Sequence, residues 1–244
     1  MPRRKLIVAL VAAALGIATA ISLGNWQMRR GDAKLVLRAQ ADAAERAPPV
    51  DIAPSRLSIK DVAAALPRKV RVSGVFDPAG TVYLDSRRLN GVAGFYVITP
   101  LVIGEGLPAL LVDRGWNAHD LRDRARIAAP MPPSGRVTVE GLAVARPSAL
   151  LELGGKPELR VPGLWQNLNY SAYEQATGRS VARFVIQQSG DGQSDKVADG
   201  LRREWPRPAS GVEKNRGYAF QWYSLAVLIA AFAVFFGRKA WREQ

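Results

Sequence analysis

The 244-residue chain contains no cysteine, which excludes disulfides, thiolate nucleophiles and every CxxC metal or redox site. Histidine occurs once, at His119, and methionine three times, at Met1, Met28 and Met131. A copper or zinc carrier gathers several imidazole or sulfur ligands, so metal trafficking by the chain's own side chains is not expected. No GxSxG elbow, Walker loop or HExxH segment is present. Charge is missing from two long stretches, Leu6 to Leu23 and Tyr218 to Phe236, each close to the ~20 residues that a helix needs to cross bilayer hydrocarbon. For the second stretch the alternative is a buried core helix, but soluble helices rarely stay apolar all round over that length. Neither stretch holds an ionisable group, so a proton relay or ion pathway has nothing to work with.

The two ends carry the membrane signals. Ala18-Thr19-Ala20 has the form of a signal-peptide cleavage site, yet the apolar run passes beyond it to an interfacial Trp26. An uncleaved anchor is the favoured reading. Tyr218, Trp222 and Tyr223 suit the headgroup level at the entrance of the second stretch, and Gly237-Arg238-Lys239 closes it with charge. Small residues at Ala12, Gly16 and Ala20, and at Ala226, Ala230 and Ala233, would let the two helices approach each other. Both termini are basic, which places them in the cytoplasm of a bacterial inner (plasma) membrane. Arg29, Arg30, Lys34 and Arg38 compete with this, but a long connecting domain crosses largely regardless of its charge. The expected division is 1–24 as cytoplasmic stub and span, 25–217 as an outer domain, 218–236 as the second span and 237–244 as a cytoplasmic tail. The outer domain faces the periplasm, or the intermembrane space of an organelle. The formal net charge of +13 is spread without a basic helix or RNA-binding signature. Lipid headgroups, or an acidic protein or cofactor, are the expected counter-charges rather than nucleic acid.

Trp26 to Arg46 is rich in helix formers and continues the first helix past the membrane, with a weak point at Gly31. Ser58-Ile-Lys-Asp61 has the form of a capping box, opening a short helix that Pro67 stops. From Lys69 the period becomes two. KVRVSGVF, TVYLD, GFYVITPLVI, ALLVDRGWN, RVTVEGLAVA and ARFVIQQS read as strands, with Asn90-Gly91 as the hairpin turn. Asn169 to Gly178 reads as a short helix ended by a C-cap glycine, and Ser189 to Gly200 as a polar loop. The fold class is a membrane protein of α+β type. Two transmembrane helices flank a mainly antiparallel β outer domain, a sandwich or partly closed barrel of six or seven strands with two or three helices.

Catalytic chemistry finds little support. His119, following Trp116-Asn117, reads as a solvated loop histidine rather than a general base. Asp120 and Asp123 lie among Arg122, Arg124 and Arg126, an exposed, screened charge cluster. The chain reads as non-enzymatic; an anchored hydrolase using His119 is the weaker alternative. What remains is a polar and aromatic set at the outer membrane surface: Trp26, Gln27, Arg29 and Arg30 on one side, Asn215, Arg216, Tyr218, Gln221 and Trp222 on the other. An aromatic belt meeting lipid phosphates accounts for most of these positions. It does not require Gln27 and Gln221 at matching depths, where buried amides would seek each other or a ligand between the helices.

Leu23-Gly-Asn-Trp-Gln-Met-Arg29, with Arg30 following, resembles the LGxWQxxR signature of the Surfeit locus protein one family, assembly factors of cytochrome c oxidase. Leu111-Val-Asp-Arg-Gly-Trp116 is similar to that family's VxRGW segment, and Lys214-Asn-Arg-Gly-Tyr-Ala-Phe-Gln-Trp222 resembles its NHxxYAxxW-type entrance to the second helix. The resemblance implies a two-span protein that helps mature the haem-bearing subunit of a haem–copper terminal oxidase, alongside other assembly factors. Bacterial members are thought to handle haem a through the histidine of the third motif. That position is Asn215 here, and an amide is not a useful iron ligand. The resemblance leaves a haem stacked on Trp222 or Tyr218, its propionates paired to Arg29 or Arg216, or a substitute ligand in His119. The alternative function is a haem-independent scaffold that stabilises the apo-subunit by helix packing. On this reading Trp26, Gln27, Arg29, Asn215, Arg216, Tyr218 and Trp222 form the cofactor site.

Overall fold

A computed structural model describes residues 3–120, 127–147, 161–190, 199–205 and 211–242. The expected Asp123–arginine cluster, and most of the expected loop at Ser189–Gly200, lie outside these residues. The chain divides into two compact units, one holding it as far as Gln40 together with Arg207–Gln244, the other Ala41–Pro206.

The first unit pairs two helices. Helix α1 (Arg3–Arg46) runs unbroken for 44 residues, and α4 (Val212–Arg242) for 31. Each is long and apolar enough to cross a membrane, with only 6% and 11% of their most apolar windows buried, so neither is the core helix of a soluble fold. Ile7, Val8, Val11 and Leu15 of α1, and Phe220, Val227, Phe232 and Phe235 of α4, are exposed, as a hydrocarbon solvent allows. The buried positions instead step by three and four: Ala20, Gly24 and Gly31 on α1, Val212, Asn215, Ala219 and Ala226 on α4. That spacing is the seam of a helix pair, and its small residues let the backbones close up where no hydrophobic effect drives association. A Cβ on Gly24 would lie 2.5 Å from the Tyr223 ring, and one on Gly16 3.5 Å from Ile229. Gly31 is not a weak point: the helix passes through it, and a Cβ there would meet Asn215 at 3.6 Å. Ala12, expected in the contact, is exposed, whereas Ala20 and Ala226 are buried.

The second unit is built on one eight-stranded sheet, β1 (Val50–Asp51), β2 (Arg68–Phe76), β3 (Val82–Leu89), β4 (Val92–Val102), β5 (Ala109–Ala118), β6 (Arg136–Val144), β7 (Gly163–Trp165) and β8 (Val181–Gln188). Its order is β1-β2-β6-β8-β5-β4-β3-β7, with β2 also pairing β4. The β2–β4 pairing, Val75 to Val102 and Phe76 to Leu101, closes β2, β6, β8, β5 and β4 into a ring. The partly closed barrel is therefore the observed form. Its sheet is mixed: β1–β2, β3–β7 and β5–β8 run parallel and the other pairings antiparallel. Strands β2, β3, β4, β5, β6 and β8 fall on the six segments that read as strands in the sequence; β1 and β7, of two and three residues, are not expected from it.

Val70, Val72, Phe76, Leu110, Val112, Val139, Phe184 and Ile186 fill the ring, and helix α2 (Arg56–Ala64) plugs it with Ile59 and Val62. The cap of α2 is Ser55, whose Oγ accepts from the Ser58 backbone N–H, one turn before the expected box. Ser58 Oγ accepts in turn from the Ala53 N–H. A second core between β3, β4, β5, β7 and helix α3 (Tyr170–Thr177) centres on Trp116, Trp165 and Tyr173. Helix α3 ends as expected, with Gly178 left-handed at φ 66°. The hairpin turn also matches, with Asn90 and Gly91 at φ 50° and 84°, as a type I′ turn requires.

Candidate functional site

The polar residues of the helical unit meet at one level. Asn215 Nδ2 donates to Gln27 Oε1 at 2.7 Å, and Lys34 Nζ donates to Asn215 Oδ1 at 2.8 Å. Asn215 is only 7% exposed. Both ends of its amide are therefore engaged, as a buried amide requires. Gly31 lies between Gln27 and Lys34 on α1, and its missing side chain leaves room for Asn215. Gln27 thus bonds to Asn215 and not to Gln221, which is exposed. The two glutamines look level in sequence, but the residue facing Gln27 across the seam is on the preceding turns of α4.

Beside this contact is a cleft of about 370 Å³, lined by Gln27, Arg30, Lys34, Gly211, Lys214, Asn215 and Tyr218. It contains three cations and no carboxylate among its described lining residues, so it suits an anionic ligand. Imidazole, thiolate and thioether are also missing from that lining. Tyr218 is the only aromatic residue in it.

Of the seven expected site residues, Gln27, Asn215 and Tyr218 line the cleft. Trp26 is exposed, with the Arg30 guanidinium 5.3 Å over its ring. Arg29 and Arg216 are exposed and line nothing here, Arg216 lying 3.9 Å from Glu213 on its own helix. Trp222 is half-buried and outside the lining. Arg30, Lys34, Gly211 and Lys214 line the cleft but are not among those seven, Arg30 belonging only to the wider interfacial set. The signal is periodic: Gln27, Arg30 and Lys34 step by three and four along α1, and on α4 Tyr218 follows Lys214 by four, with Asn215 four residues after Gly211, which precedes the helix. At the deeper edge Tyr223 Oη donates to Asn25 Oδ1 at 2.8 Å.

In the β unit the LVDRGW segment has a different fate. Arg114, 1% exposed, donates to the Pro130 and Met131 carbonyls and pairs with Asp199 at 3.4 Å. Gly115 adopts φ 144°, and a Cβ there would lie 2.8 Å from Leu201. Trp116 Nε1 donates to the Arg87 carbonyl at 3.1 Å. Asp113 is fully buried, and neither carboxyl oxygen has a hydrogen bond of good geometry. Burial drives its pKa well above the usual carboxylate range; the Gly115 N–H and the Arg87 guanidinium offset this only in part. The neighbouring Tyr96 phenol is pushed up to about 12, by burial first and the Asp113 charge second. His119 is not a solvated loop residue. It follows β5, 9% exposed, with Nε2 2.6 Å from Asp85 Oδ1 and its ring against Phe95. It belongs to the β unit.

The SURF1 family profile matches residues 14–227. A SURF1-like protein of Rickettsia conorii is 26% identical over 226 residues, covering 90% of this chain and 87% of the relative. A SURF1-like protein of Rickettsia felis is 35% identical over 102 residues, 41% of this chain and 42% of its own. Surfeit locus protein 1 of Arabidopsis thaliana is 30% identical over 121 residues, 46% of this chain and 34% of the plant protein. For the last two, the aligned stretch spans less than half the relative's length.

Proposed function

The chain belongs to the SURF1 family, and on that premise we propose that it is a membrane-anchored, non-enzymatic assembly factor for a haem–copper terminal oxidase. It acts on the haem-bearing subunit at the junction of α1 and α4, with both termini cytoplasmic, the β unit in the periplasm and other assembly factors as partners. The observation that carries this reading is the cleft of Arg30, Lys34 and Lys214 beside the two signature segments. Three cations fit the propionates of haem a, and Tyr218 offers a ring for stacking. The iron is not provided for: the lining has no imidazole, and the Asn215 amide is occupied by Lys34 and Gln27. We assign no ligation step to this chain. Arg30, Lys34 and Lys214 would hold a haem by its carboxylates, leaving the iron ligands to the oxidase subunit.

A second reading is a scaffold that stabilises the apo-subunit without touching haem. The closed hydrogen-bond set at Asn215 favours it, because that residue works as a helix-to-helix tie. Purification of the full chain from cells that make haem a separates the two. Haem a by extraction, lost in Lys34→Gln/Lys214→Gln, supports carboxylate grip. No haem in the wild-type chain, and none gained by Asn215→His, leaves scaffolding.

A further inference from the structure

The C-terminal half of α4 has a feature that the proposed function does not draw on. A groove of about 850 Å³ is lined by Val227, Ala230, Ala231, Val234, Phe235, Arg238, Lys239 and Arg242. Val227, Ala231, Val234, Arg238 and Arg242 recur at steps of three and four, so they share one helix face. The cations are confined to one end. From Val227 to Arg238 the helix rises by about 16 Å, half of the ~30 Å hydrocarbon core. The groove is thus one leaflet deep, apolar along its length and triply cationic at the headgroup level.

We propose that this groove is a binding site for one anionic phospholipid, its acyl chains along Val227, Ala231 and Val234 and its phosphate held by Arg238, Lys239 and Arg242. A non-helical peptide does not fit, because its backbone would find no hydrogen-bond partner between Val227 and Phe235. A partner helix would gain nothing from three cations at one end unless its own end were acidic. The graded chemistry, apolar then cationic, is that of a lipid.

The test is native mass spectrometry of the full chain in detergent, titrated with phosphatidylglycerol or phosphatidylcholine of the same acyl chains. The expected result is one tightly retained phosphatidylglycerol, at least ten-fold preferred over phosphatidylcholine. Arg238→Gln/Lys239→Gln/Arg242→Gln, at exposed positions that leave the fold intact, abolishes the preference. Ala231→Leu fills the groove and releases both lipids while the cations remain. Equal retention of the two lipids, or an unchanged preference in the triple variant, overturns the proposal. Displacement of the lipid by millimolar inorganic phosphate also overturns it, since the site would then read an anion alone.

Discussion

The β unit and the helical unit both carry family-signature segments, and use them in opposite ways. In the β unit Arg114 and Trp116 are consumed by the fold: the first ties two carbonyls and Asp199, the second the Arg87 carbonyl, and both are closed to solvent. In the helical unit the signature residues Gln27, Asn215 and Tyr218 line an open, cationic cleft. A shared motif therefore does not by itself mark a working site. The β unit has an interior of its own to satisfy, so polar residues there are spent on stability. Two helices in a bilayer have no such interior, and polar residues at their junction either tie the helices or meet a ligand.

The largest effect that would break this contrast lies in the β unit. Arg114→Ala empties a buried site, strips the Pro130 and Met131 carbonyls of their donor and leaves Asp199 with Arg203 alone; it is expected to cost about 2–5 kcal/mol, seen as a drop in the urea midpoint of tryptophan fluorescence. Unfolding at the wild-type midpoint would mean that Arg114 is not part of the architecture. In the helical unit, Gly24→Ala pushes a methyl into the Tyr223 ring and disturbs its bond to Asn25. An overpacking cost of about 1–3 kcal/mol is expected, with weakened disulfide crosslinking between cysteines introduced on α1 and α4.

Asp113→Asn sharpens the comparison through pH. Its pKa is raised in the folded state, so folding favours the protonated carboxyl. That stability is fully present below the unfolded pKa and is lost as pH rises through the folded pKa. Asparagine has no proton to lose, so melting curves of the variant should gain on the wild type steadily as pH rises. Parallel profiles would contradict a buried, poorly bonded Asp113. The smallest effect is that of His119→Ala, about 1 kcal/mol from the lost Asp85 contact, with oxidase assembly unchanged in complementation. Loss of assembly in a stably folded variant would return His119 to the chemistry.

Much of the barrel is legible because β2 and β6 alternate in burial and β4 and β5 hold continuous apolar runs of strand length. The parallel β5–β8 pairing and the ring closure are not, since Val112 meets Ile186 and Phe76 meets Leu101 across sequence distances that no local pattern encodes. Strands β1 and β7 are too short to show a period. At the candidate site, Gln27 is visible as an amide out of place, but the sequence offers Gln221 or a ligand as its partner, and the structure gives it Asn215. Depth along a helix does not fix which face it presents. Lys34 was read as a flanking charge, although it sits one heptad from Gln27. His119 was read as exposed because Asp85 approaches from another strand.

In the proposed role the cleft, rather than the β unit, is where the chain works. The direct measurement is the haem a content and activity of terminal oxidase in membranes whose copy carries Arg30→Gln/Lys34→Gln/Lys214→Gln. At wild-type levels of the protein, oxidase haem a and activity should fall towards those of membranes lacking it. Full activity with the three cations removed would contradict the central claim.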